Sequence, residues 1–210
     1  MGAIAEMLRY LQLRDRQERL TRFLNDRRID DLTSPDFALT PRTRRLRCWG
    51  DGGKLEAACP FVVIHAVPEA ALERVWLLSD ERVWNWLDPN QRRYSPWNGG
   101  YFLPPSRKPT SDGIIFEDGG REHGACLDNY VVVETGGVVE IGLAGDAAVI
   151  HEKQTGFNLL PIIGATWRLL RFVPEFYKQV AVASQFTVIV SIRKTQDSIL
   201  GGLARGWNDP

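Results

Sequence analysis

The chain is poor in the residues that build metal knuckles and redox pairs. It has three cysteines, three histidines and two methionines in 210 residues. Cys48, Cys59 and Cys126 form no C-x-x-C pair, and an odd number without an export signal points to thiols rather than a disulfide framework. Cys48, Cys59, His123 and Cys126 can be written as a zinc set, because His123-x-x-Cys126 is a usable half-site. Cys48 and Cys59 stand too far apart for the second knuckle, so no metal or other cofactor is expected. No apolar run nears the roughly 18 residues of a membrane helix, and the opening MGAIAEMLRYLQLRDRQERL is too charged for a signal peptide. These absences predict a cytoplasmic protein with no membrane span. The phosphate-binding GxxxxGK[ST], the GxSxG elbow and the HExxH zinc motif are also missing. There is no 20–50-residue repeat and no low-complexity tract.

What is there is an ordinary globular composition, 44% hydrophobic and 25% charged, with 26 basic and 26 acidic side chains. The charge is unevenly spread. Residues 1–50 carry 11 basic and 7 acidic groups, a surplus of four positive, whereas 111–160 carry 2 and 9, a surplus of seven negative. Arg supplies 21 of the 26 basic residues, which suits bidentate phosphate or carboxylate contacts and also follows from a GC-rich genome.

The strongest local signal is Pro60–Pro68, PFVVIHAVP. A continuous apolar run rich in valine and isoleucine, fenced by proline, reads as a strand buried on both faces and is the candidate central strand. His65 is its one polar side chain. A lone imidazole there is more often a neutral, hydrogen-bonded core residue than a catalyst, and it must find a partner.

Before this strand, Ala3 to about Asn25 has one apolar stripe, Ile4, Met7, Leu8, Leu11, Leu20, Phe23 and Leu24, the mark of an amphipathic helix. Residues 26–41 are charged and contain proline, so 1–41 reads as a helical arm and linker attached to an α+β domain at 42–210. The arm's stripe would dock on the body, on a protein partner or on a second copy. Arg42, Arg44, Arg45 and Arg47 follow within six residues. They read either as the outward charges of an edge strand or as a phosphate-contacting patch.

After the strand, residues 69–87 have helical spacing, broken near Ser79-Asp80, where a second short helix can be capped. Trp76, Trp84 and Trp86 are expected in the core. Residues 88–112 are the least regular stretch, with five prolines and with Arg92, Arg93, Arg107 and Lys108 interleaved with Tyr94, Trp97, Tyr101 and Phe102. This reads either as an ordered cover plugging the core edge or as a stacking platform for unpaired bases of single-stranded DNA or RNA.

Further on, Gly113–Glu117 reads as a strand, and 129–134 with 138–141 reads as a hairpin turned at Thr135-Gly136-Gly137. Asn158–Val180 is helical in pattern, with Pro174 expected to kink or restart it, and Gln185–Ile192 is a last strand. The fold class is therefore α+β: a mixed or mostly antiparallel sheet with two or three packed helices and the N-terminal helical arm. The acidic residues Glu117, Asp118, Glu122, Asp128, Glu134 and Glu140 mostly read as solvated faces and turns. The alternative is a two-metal nuclease site, against which Glu117 and Asp118, as strand neighbours, point to opposite faces.

HAVP closing a buried strand, SDGIIFED after a Pro-rich stretch, YVVVETGGVVE, a helix and then VIVSI together resemble the region C-terminal to the Schlafen-type AlbA-like domain of bacterial proteins. His65 to Pro68 match that family's His-x-x-Pro pattern, and Asp112-Gly113 match its later Asp-Gly strand. The resemblance spans roughly residues 60–193. It implies a non-catalytic accessory module of a bacterial nucleic-acid-directed, defence-associated system, binding nucleic acid or a partner subunit. The AlbA-like domain, with its acidic nuclease residues, does not fit within residues 1–59, so the resemblance implies the accessory part without the catalytic part.

Overall fold

The computed structural model describes residues 43–49, 55–56, 60–69, 74–88, 103–104, 106–118, 129–145, 147–151, 154–183, 185–193 and 198–201. The arm and linker over 1–41 lie outside them. Two sheets and two helices account for most of the described chain. The elements are β1 (Cys48–Trp49), β2 (Leu55–Glu56), β3 (Phe61–Pro68), α1 (Glu81–Trp86), β4 (Ser106–Pro109), β5 (Gly113–Asp118), β6 (Asn129–Glu134), β7 (Val139–Leu143), β8 (Ala148–His151), β9 (Gln154–Asn158), α2 (Leu159–Gln179), β10 (Phe186–Arg193) and β11 (Ser198–Gly201).

The main sheet has six strands in the order β10-β3-β7-β6-β5-β4, antiparallel throughout. With the helices it makes an α+β architecture. All eight residues of β3 are buried, as its unbroken apolar run requires. The strand is internal, bonded to β10 on one side and β7 on the other, but it stands second from the edge rather than in the middle. The hairpin β6–β7 forms where the sequence places it. Gly137 adopts φ 85°, the left-handed conformation that glycine supplies without steric cost, and Glu134 N–H donates to the Val138 carbonyl to close the turn.

Six further strands were not legible in the sequence. Ser106–Pro109, read as irregular, is β4, the outer strand beside β5. The two-residue strands β1 and β2 join β8, β9 and β11 in a second sheet of five strands, ordered β11-β9-β8-β1-β2, with β1/β8 and β11/β9 parallel. Strands of two to five residues are too short for alternation to stand out.

The helix expected from residue 69 is corrected. Residues 74–80 are turns and bends, and among the described residues of this stretch the helix is Glu81–Trp86. The cap foreseen at Ser79-Asp80 is real, since the Asp80 carboxylate accepts from the N–H groups of Arg82 and Val83. The preceding segment is instead pinned to the hairpin. Val75 N–H donates to Thr135 O and Trp76 Nε1–H to Glu134 O, so tertiary bonds replace the intrahelical ones.

α2 starts on Asn158, whose side chain accepts from Leu160 N–H, and continues through Pro174 without the restart expected there as an alternative to a kink. Buried Phe172, Val173, Phe176 and Tyr177 flank the proline and hold the helical path through it. The helix ends in a Schellman pair: Val182 N–H donates to Tyr177 O, and Ala181 N–H to Lys178 O. α2 and α1 meet on one face of the main sheet, where Trp86 packs on Phe172 and Phe176, and Trp76 meets Phe176 edge-on. No helix among the described residues is long and apolar enough to cross a membrane, which leaves membrane-crossing strands unaddressed.

Candidate functional site

Residues opposite one another in the main sheet share a face. Glu117 stands opposite Tyr130, Tyr130 opposite Gly142, and Glu140 opposite His65. On the same face, Lys108 of β4 is one pleat away from the position beside Glu117. Five strands therefore contribute one polar band, Lys108–Glu117–Tyr130–Glu140–His65, to one face of the sheet.

The inner end of the band is a buried network. Tyr130 OH donates to Glu140 Oε1 at 2.6 Å, and His65 Nε2 lies 3.2 Å from Glu140 Oε2. His65, Tyr130 and Glu140 are all buried, at 2%, 0% and 4% exposure. Groups this enclosed tie β3, β6 and β7 together, and a substrate has no direct access to them. Glu140 is thus neither a solvated side chain nor an open metal ligand, which corrects the reading of it as part of a solvated face.

The outer end faces water. Glu117 is only 7% exposed, yet Arg45 Nη1 donates to its Oε1 and Lys108 Nζ to its Oε2, each at 2.6 Å. Burial pushes this carboxyl up, but the hydrogen bonds and charges of Lys108 and Arg45 outweigh that and hold it below the ordinary glutamate range. Lys108 reaches Glu117 because a diagonal neighbour across an antiparallel pair lies within range of a long side chain. Arg45 arrives from a single 3-10 turn, Thr43–Arg45, anchored in the core by buried Thr43, Leu46 and Cys48.

That turn corrects the edge-strand reading of Arg42–Arg47. Only Cys48–Trp49 is strand, and it is paired on both sides, with β2 and β8. Arg44 is exposed on the turn. Arg47 Nη1 donates to the carbonyls of Arg44 and Leu46 and so braces the turn itself. Arg107 points to the opposite face, where its Nη1 donates to Trp84 O and its guanidinium sits 4.6 Å over the Trp84 ring, joining β4 to α1.

The structure thus brings Arg44, Arg45, Arg47 and Lys108 to one edge and places Arg107 on the other side of β4. Arg42, Arg92, Arg93, Tyr94, Trp97 and Tyr101 lie outside the described residues. So do Glu122, Asp128, Cys59, His123 and Cys126, and the side chain of Asp118. Cys48 is buried in the core, and no group of three or more His, Cys, Asp or Glu that could hold a metal occurs among the described residues.

Sequence reasoning missed Tyr130 and Gly142. The signal available was Glu140, a charge in the middle of the apolar strand VEIGL, which needs a buried donor as His65 needs an acceptor. Neither a family model, nor a curated protein, nor a solved structure matches the chain.

Proposed function

We propose that the chain is a non-catalytic accessory module of a bacterial nucleic-acid-directed system, with antiviral defence as the setting the Schlafen-associated resemblance suggests. In this reading it holds the backbone of single-stranded DNA or RNA against the Arg45/Lys108 edge. One observation carries the proposal: a single carboxylate, Glu117, gathers two cations that are far apart in sequence. Arg45 and Lys108 keep 35% and 59% of their side-chain surface exposed, and Arg44 beside them is exposed. Among the described residues three cations, Arg44, Arg45 and Lys108, gather around the one carboxylate of Glu117, whose burial fixes the spacing of Arg45 and Lys108. Such an arrangement suits phosphate oxygens. The aromatic stretch Tyr94, Trp97 and Tyr101 leads into β4 in sequence and would supply base stacking.

The nuclease alternative is disfavoured for two of its carboxylates. Glu117 is engaged by Arg45 and Lys108, and Glu140 by Tyr130 and His65, so a metal would have to displace those partners. Fluorescence anisotropy with labelled single-stranded oligonucleotides in EDTA, at increasing salt, tests the proposal. Binding that survives EDTA and weakens with salt supports it. No binding at low salt would remove it and favour a partner subunit as the ligand.

A further inference from the structure

Lys108 meets a ligand through one atom. Its Nζ already donates to Glu117 Oε2 at 2.6 Å, and 59% of its side chain stays exposed. The N–H groups of an ammonium diverge tetrahedrally, so a phosphate oxygen accepting from the same Nζ lies about 4–5 Å from the Glu117 carboxylate. Arg45 is less confined. It holds Glu117 through Nη1, and a guanidinium has further nitrogens whose acceptors can lie farther off.

Glu117 is ionised at neutral pH. Burial pushes its carboxyl up, yet the hydrogen bonds and charges of Lys108 and Arg45 hold it below the ordinary glutamate range. Two like charges about 4 Å apart repel enough to weaken binding about fivefold even at the dielectric constant of water. Glu117 is only 7% exposed, so its charge is screened less than that of a surface carboxylate. It also steadies the ends of both cations, which favours binding. The repulsion outweighs this, because the approach of both cations is set by backbone: β4 is registered on β5, and the Thr43–Arg45 turn is anchored in the core by Thr43, Leu46 and Cys48.

We propose that Glu117 is a built-in competitor at the Arg45/Lys108 edge, occupying the Lys108 ammonium and repelling the phosphate that would share it. The inference rests on the reading of this edge as a nucleic-acid site and adds what limits it. The affinity of the edge is then the difference between what its cations attract and what its own carboxylate repels. A phosphate held by Arg45 alone escapes most of the repulsion, so the restraint acts through Lys108. Removing Lys108 should therefore remove most of the advantage of neutralising Glu117, whereas an effect of net charge over the whole molecule would persist.

The test is fluorescence anisotropy of a labelled single-stranded oligothymidylate with the full chain, in EDTA at one low salt concentration. Wild type is compared with Glu117→Gln, Lys108→Ala, the double variant and Glu175→Gln. The last removes the same charge from α2, across the main sheet from Lys108, and likewise releases a lysine, Lys178. Cooperative urea unfolding checks that each is folded, and Glu117→Thr, uncharged and suited to a strand, replaces Glu117→Gln if that variant is not. Neutralising Glu117 should tighten binding about three- to fivefold, Glu175→Gln should change it less than about 1.5-fold, and most of the gain should vanish when Lys108 is already alanine. Equal or weaker binding by the Glu117 variant overturns the competitor while leaving the nucleic-acid reading intact. So does a gain shared by Glu175→Gln, or one kept in full without Lys108. Binding by the Glu117 variant where wild type shows none supports the competitor, and no binding by either protein removes the competitor together with the nucleic-acid reading.

Discussion

The ring of Tyr130 lies across the backbone of Gly142: a Cβ at position 142 would come within 2.2 Å of Tyr130 Cε1. The tyrosine can cross to its diagonal neighbour Glu140 because the residue directly opposite it has no side chain. Gly142→Ala should therefore displace the ring and leave Glu140 without its phenol donor. Overpacking together with an unpaired buried acceptor should destabilise by about 2–4 kcal/mol. Urea unfolding measures it. A loss under about 0.5 kcal/mol would mean that the ring moves aside freely.

The Glu117 carboxyl is held below its ordinary pKa, so the folded state favours its charged form. A depressed folded pKa contributes stability that is fully present above the unfolded value, about 4.3, and is lost as pH falls through the lower folded value. Wild type should thus lose stability below about pH 4.3 more steeply than Glu117→Gln. At neutral pH the variant should be less stable by about 1–3 kcal/mol, because Arg45 and Lys108 lose their shared acceptor. Parallel pH–stability curves for the two proteins would refute this role for the carboxylate.

For nucleic-acid binding, Lys108→Ala and Arg44→Ala should each reduce the slope of log affinity against log salt by about one, since each phosphate contact releases its own counterion. Trp97→Ala should weaken single-strand binding without changing that slope, by about 1–3 kcal/mol for a stacked base. Equal loss on duplex and single strand would argue against stacking. Cleavage that appears with Mg²⁺ and vanishes in Asp128→Asn would establish the nuclease instead.

His65→Gln keeps a donor that reaches toward Glu140 but not the shape of the imidazole. Stability should fall by about 1–2 kcal/mol while nucleic-acid affinity stays within twofold. A folded His65→Gln protein that no longer binds would give the buried histidine a functional part.

Ala181 closes α2 in the left-handed region, at φ 55°, where a Cβ is disfavoured and glycine is the usual occupant. Ala181→Gly should raise stability by about 0.5–1 kcal/mol, read as a higher denaturation midpoint with an unchanged m-value. A lower midpoint would show that the alanine methyl contributes packing there.

Sequence pattern alone was enough for β3, the β6–β7 hairpin, the core of α2 and the Asp80 cap. In each, the local signal and the global fold agree: a β-branched run, a Thr-Gly-Gly turn, a three- and four-residue apolar period, a carboxylate before a helix. The partners of isolated polar residues were not legible in this way. His65 and Glu140 are 75 positions apart, and Arg45 and Glu117 are 72. Only the register of β3 on β7 decided that the first pair sits in a buried network, and only the Thr43–Arg45 turn together with the register of β4 on β5 decided that Glu117 holds two cations at a wet edge. The sequence likewise displayed the apolar period of α2 but not which part of it stays uncovered. That depends on how much of the helix the sheet can reach, and among the described residues the sheet ends at β10.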